Sequence, residues 1–305
     1  MRRSIAVAAI GLLAIAPIFA FHPLPQPPDV APSAQPAQHL STHRWRHDAP
    51  WFGGFSGFEL GANGRDFFAV TDRGFLARGT LTRKNDQITD AQVTTAKPLV
   101  DRFGETRDGP YNDAEGLALD HKGRLFVSFE FADRILRYNT WDSPAEWPSY
   151  TRAWRALGSN KGLELVAIDA QGTLFSIPEG VARGAREALV YRRHEKGRWS
   201  QAFTLPLDEG YLPVGGDFGP DGQFYLLERS FVWFGFRSRI RRMTVTDAGF
   251  ENIETLLETP HRHHGNLEGL SVWQDDTGRT RLTMISDDNF LPILHTDIVE
   301  YVLKD

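Results

Sequence analysis

Carboxylates are the side chains whose type and spacing offer chemistry in this chain. They recur in one setting: an acid on a short aliphatic or aromatic run, a turn, a second such run, and a second acid. Glu59, Glu115, Glu164, Asp217 and Glu268 form the first set, and Asp72, Glu130, Glu179, Glu228 and Asp287 the second. Two rings of carboxylates at one opening repel each other unless a cation, arginines or bound protons compensate. Oxygen-only donors suit hard divalent ions such as Ca2+ or Mg2+. The metal-ligand candidates are Glu59, Glu115, Glu164, Glu268 and Asp287. Glu228 is the candidate proton acceptor from water. Arg73 and Arg229 are candidates for holding a substrate anion through paired donors, and Arg134 stands in a similar place. The competing reading of any single acid is structural, a turn carboxylate that binds backbone N–H groups and clamps neighbouring elements.

The elements that must position these acids repeat. The segments begin near Phe55, Asp113, Gly162, Val214 and Asn266, and each reads as a strand, a Gly or Asp-Gly turn, and a second strand. A period of about fifty residues with two to four strands per unit is the mark of a β-propeller blade. The expected fold is therefore all-β: a β-propeller of five four-stranded blades, with six the alternative and a β-sandwich the rival. RILRYNT and SYTRAWRAL are the expected outer strands of the second blade. The last blade lacks its fourth strand, and HLSTHRWRHD (His39–Asp48) is expected to supply it, closing the ring and hiding both open edges. Equivalent inner-strand positions then line a central channel. No sustained helical periodicity is present.

The 305 residues include 28 Gly, 18 Pro, 8 Trp and 21 Phe, a mixture that favours strands and turns, and no cysteine, so there are no disulfides. A net charge of −5 gives no global basic field to recruit nucleic acid. Arg2 and Arg3 precede the apolar run Ile5–Phe19, with Ala20 offering a cleavage site, so residues 1–20 are expected to be a signal peptide. Export would leave a periplasmic or secreted protein with no transmembrane segment and a charge of 32 − 39 = −7. Residues 21–38, rich in proline, read as a disordered spacer, with the domain at 39–305.

Three histidines, His261, His263 and His264, precede the last inner strand. They are candidates for a transition metal or a general base, with an ordinary surface loop as the competing reading. The run FVWFGFRSR (Phe231–Arg239) reads either as a loop over the channel or as blade packing. No G-x-S-x-G, P-loop or dinucleotide fingerprint occurs. A hydrolase built on this sequence would activate water with a metal or carboxylate rather than use a serine nucleophile.

The series FGGFSGFEL, VTDRG, NDAEGLAL, GDFGPDGQFYLLERSF, NLEGLSVW and ISDDNF, spread between Phe52 and Leu303, resembles the phytase-like domain of exported bacterial proteins, a family described with esterase-like activity. The resemblance implies a propeller and, by analogy with β-propeller phytases, Ca2+ and phosphate-ester chemistry. The lysine-rich phosphate site of true phytases has no counterpart, since Lys122 and Lys161 are the only lysines close to the first-strand repeats. The EGL pattern is also similar to gluconolactonase and paraoxonase propellers, which hold a divalent metal with Glu, Asn and Asp. Asn112, Asn266 and Asn289 lie close to the repeat acids here. The function expected from these features is metal-assisted hydrolysis of a small ester or phosphoester at the channel mouth. Its alternatives are a propeller that only binds a ligand or protein, and a lactonase-like one.

Overall fold

The computed structural model describes residues 35–107, 109–157, 162–179, 185–208, 210–232 and 235–304. The expected signal peptide and most of the spacer lie outside these residues. Strand β1 (Ala37–Arg44) begins two residues before the expected start of the domain. Blade 1 contains β2 (Phe55–Leu60), β3 (Asp66–Thr71), β4 (Phe75–Lys84) and β5 (Gln87–Pro98). Blade 2 contains β6 (Ala114–Leu119), β7 (Leu125–Phe129) and β8 (Arg134–Tyr138). Blade 3 contains β9 (Leu163–Ile168), β10 (Leu174–Pro178), β11 (Glu187–Arg193) and β12 (Ser200–Pro206). In blade 4 are β13 (Leu212–Phe218), β14 (Phe224–Val232), β15 (Gly235–Val245) and β16 (Phe250–Glu258). Blade 5 takes β17 (Asn266–Gln274), β18 (Thr280–Asp287) and β19 (Asp297–Leu303), and β1 pairs antiparallel with β19 as its outer strand.

The inner strands β2, β6, β9, β13 and β17 touch in sequence around a closed ring, so the molecule is a five-bladed propeller. A sixth blade is excluded by this closure. The outer strand of blade 2 departs from expectation. Only the isolated bridges Ile135–Ser149 and Tyr138–Ala145 continue its sheet, and Arg152–Ala156, within the expected strand SYTRAWRAL, forms a 3-10 helix. Trp154 of that helix is buried against Tyr191 and Trp199, which anchors the turn to blade 3 instead of extending the sheet.

Local chemistry explains the repeat. The turn after an inner strand is often an Asp whose Oδ1 accepts two backbone N–H groups, followed three residues on by a glycine. Asp120 accepts from Lys122 and Arg124, Asp169 from Gln171 and Thr173, and Asp275 from Thr277 and Arg279. Gly123, Gly172 and Gly278 have φ of 75°, 81° and 84°, a region that suits glycine alone without strain. The other recurrent glycine sits on the inner strands. A Cβ on Gly57 would lie 2.8 Å from the Leu117 backbone, one on Gly116 2.6 Å from Val166 N, and one on Gly269 2.7 Å from Phe58 N. The glycine of the EGL pattern therefore lets adjacent inner strands approach. Outward of it, inter-blade clusters such as Trp45, Phe55, Phe58 and Phe67 form the core.

Candidate functional site

Every inner strand carries a β-bulge at the same level. The pairing skips Ser56 in β2, Glu115 with Gly116 in β6, Glu164 in β9, Val214 in β13 and Glu268 in β17. A bulge re-aims a side chain out of the regular alternation, and here it defines one level of the channel. Three of its five positions are glutamates: Glu115, Glu164 and Glu268. Glu115 lies in the field of Glu164 and Glu268, and Glu164 in that of Glu268.

Glu59 and Asp217 belong to a different level. Both lie two residues beyond the glycine level, towards the far end of their strands, where Ser271 Oγ donates to Glu59 Oε2 at 3.2 Å. Asp217 is the carboxylate that acts on Glu59. Its oxygens accept from the Val272 and Phe218 backbones, both at 2.7 Å. The first set of acids is thus two levels, and Glu59 does not share a site with Glu115, Glu164 and Glu268.

The second set also needs one correction. Where β3, β7, β10, β14 and β18 leave their inner partners, the equivalent residues are Asp72, Glu130, Glu179, Arg229 and Asp287. The register Phe55–Thr71, Ala114–Phe129, Leu163–Pro178 and Pro213–Glu228 fixes this alignment. Glu228 is therefore one residue out of phase and points to the opposite face of its strand. It is fully buried and accepts from Arg239 Nε at 2.8 Å and from both Nε and an Nη of Arg241 at 2.8 and 2.7 Å. Held by two guanidinium groups inside blade 4, it is not placed to take a proton from water at the channel.

Arg229 stands in the mouth ring in its place. One Nη donates to Glu179 at 2.8 Å, and the other to Asn266 Oδ1 at 2.9 Å and to Glu268 Oε1. These carboxylates raise its already high pKa. Arg229 is thus committed to neutralising acids, not free for substrate. Arg73 is placed differently: its guanidinium lies 3.3 Å from the centroid of the Phe290 ring. Arg134 stacks on Phe129 and donates to the carbonyls of Phe131, Ala132 and Tyr111.

Asp113 and Asn266 stand opposite mouth-ring residues: the Glu130 N–H donates to the Asp113 carbonyl, and Asn266 pairs with Asp287. Each precedes its bulge glutamate by two residues. Asp113, Glu115 and Glu130 offer oxygens that all lie within 4.8 Å of one another. Burial raises all three pKa values, first and most, and neighbouring carboxylates raise them further; Asp113 reaches about 6. Asp72 is pushed to about 7 by burial and then by Asp113, and Asp287 to about 8 by burial and then by Glu268. Burial first, then Glu179, raises Glu164 as well. Asp72 Oδ1 and Asp133 Oδ1 are buried without a hydrogen-bond partner.

Mutual repulsion, unpartnered buried oxygens and an all-oxygen donor set are what a hard divalent cation corrects. The residues present fit such an ion, with Asp113, Glu115 and Glu130 as its nearest donors. Sequence reasoning passed over Asp113, although the spacing Asp113-x-Glu115, matched by Asn266-x-Glu268, was the signal for it.

The histidines lie away from this centre. His261 Nε2 contacts the Val232 carbonyl, while His263 and His264 pack beside His39 of β1. Phe231–Arg239 spans the β14–β15 hairpin, where Phe231 packs on Phe236. Among the described residues, no helix is long and apolar enough to cross a membrane.

Fold and site together define a five-bladed propeller with an acid-lined channel mouth. Residues 50–290 match the model of the phytase-like family, described as "Esterase-like activity of phytase", and the chain belongs to that family. No curated protein matches it. Among solved structures it is similar to the PQQ-bound aldose sugar dehydrogenase of Streptomyces coelicolor, at 14% identity over 89% of this chain and 100% of that one, with a TM-score of 0.46. It is also similar to a gluconolactonase of Xanthomonas campestris, at 14% identity over 82% and 71% of the two chains, with a TM-score of 0.47. A third is the virginiamycin B lyase of Staphylococcus aureus, at 12% identity over 88% and 99%, with a TM-score of 0.46. Likenesses at this level bear on none of the chemistry below.

Proposed function

We propose that this chain is an exported hydrolase of small esters or phosphoesters, working at the acidic end of its propeller channel with one divalent cation, Ca2+ being the first to test. The observation that carries the reading is the convergence of Asp113, Glu115 and Glu130 beside a mouth ring of Asp72, Glu130, Glu179, Arg229 and Asp287, in which Arg229 is the one basic member. Glu164 and Glu268 act on Glu115, and Asp287 acts on Glu268; these three would complete or orient the donor set. When bound, the cation would polarise the substrate oxygen and lower the pKa of water.

The chain's own residues supply the rest. Asp72, with its pKa near 7 and an unpartnered oxygen, is placed to accept a proton from water. Arg73, adjacent to it and braced on Phe290, would hold a negative oxygen of the substrate. Arg229 fixes Glu179 and Glu268 and so keeps one side of the ring rigid.

The test is turnover on a panel of aryl esters, lactones and phosphate monoesters, with Ca2+ and after EDTA. Cation-dependent turnover of at least one class, lost on Glu115→Gln, is the expected result. Cation binding without any product would leave a ligand-binding propeller instead, and neither would remove the metal from the account.

A further inference from the structure

The closure of the ring brings together three histidines from distant parts of the chain. His39 lies on β1, the strand that completes blade 5, while His263 and His264 lie on the crossing from blade 4 to β17. The ring centroids of His263 and His264 are 4.4 Å apart, those of His39 and His264 5.8 Å, and those of His39 and His263 6.2 Å. His39 and His263 both line a cavity together with Glu258 and Tyr301. We propose that this cluster is a second metal site, for a borderline transition ion such as Zn2+ or Ni2+, and that the ion clasps β1 to the rest of the ring.

Imidazole nitrogen is the donor that these ions select over the oxygen donors of the channel mouth. The supporting bonds have the form of a metal site's outer shell, in which a second group fixes each ring. Tyr301 OH lies 2.8 Å from His264 Nε2, and Thr42 Oγ1 2.9 Å from His39 Nε2. Among the described residues no hydrogen bond restrains the His263 ring, so it can turn to bring its nitrogen to the others. Burial and mutual proximity keep His264 neutral, the form that ligates. Gln35 reinforces the same seam: its amide donates to the Glu258 carbonyl and accepts from the Glu258 N–H.

The test uses the whole chain and Zn2+ itself. Thermal melts and equilibrium dialysis are run on the wild type, His263→Ala, His39→Gln and Glu115→Gln, each with Zn2+ in the presence of excess Ca2+. The expected result is one bound Zn2+ and a melting temperature raised on the order of 5 °C in the wild type and in Glu115→Gln. Both should be lost in the two histidine variants. Co2+ substitution should give visible ligand-field bands in the wild type, which keeps the proposal testable if either variant fails to fold. Absence of Zn2+ binding to the wild type overturns it, as does binding that survives in both histidine variants or is lost in Glu115→Gln.

Discussion

Replacing Glu115 by glutamine keeps the side chain's shape and removes one ionisable carboxyl from the most crowded point of the channel. Two consequences follow from its position. Without cation the variant should be more stable than the wild type, because a buried carboxyl repelled by Glu164 and Asp113 is gone. With Ca2+ the order should reverse, and paired melts in Ca2+ and EDTA would show it. Glu228 predicts the opposite pattern. Glu228→Gln leaves Arg241 buried without a carboxylate and Arg239 with only Asp208, at a cost of about 3–5 kcal/mol in a denaturant titration. Its response to Ca2+ should be unchanged, which separates a structural ion pair from a metal ligand.

At the scale of the strand, the bulge decides which acids meet. Sequence made the strands, turns and five-fold repeat legible, because most blades reuse an Asx turn and an inner-strand glycine. It did not make the faces legible. Side chains alternate along a strand, so one skipped residue moves an acid to another face or level. Glu59 and Glu115 looked equivalent by spacing and lie at different levels, and Glu228 took the place that belongs to Arg229. Asp113 was passed over because its meaning depends on that register. A further prediction belongs here. Gly269→Ala places a methyl group 2.7 Å from the Phe58 backbone nitrogen and should destabilise the fold by about 1–3 kcal/mol, through the joint between blades 5 and 1. Gly123→Ala has open space around it and meets only the backbone cost of its φ of 75°, so chemical denaturation should show the smaller loss.

For the whole molecule, the buried acids set a pH dependence whose sign is fixed. In the unfolded chain they lose their protons near the ordinary carboxyl values, 3.8 for Asp and 4.5 for Glu, whereas in the fold Asp113 holds its proton to about 6, Asp72 and Asp217 to about 7 and Asp287 to about 8. Between these limits the folded state binds more protons, so cation-free stability should fall as pH rises from about 4 to about 8. A divalent cation competes with those protons at the mouth, so its stabilisation should grow over the same range. Glu59 and Asp217, on their separate level, should keep part of the pH dependence even when Ca2+ saturates the mouth. Melting temperatures across this range, with Ca2+ and with EDTA, measure both curves.

The most direct measurement is the stoichiometry of divalent cation in the purified chain and in Glu115→Gln, at neutral pH after dialysis against Ca2+ and with the histidine cluster kept free of transition ions. The propeller's acid-lined mouth predicts one Ca2+ per chain, absent from the variant. A wild type that retains no cation, or a variant that retains as much as the wild type, would contradict the assignment of Asp113, Glu115 and Glu130 as its site.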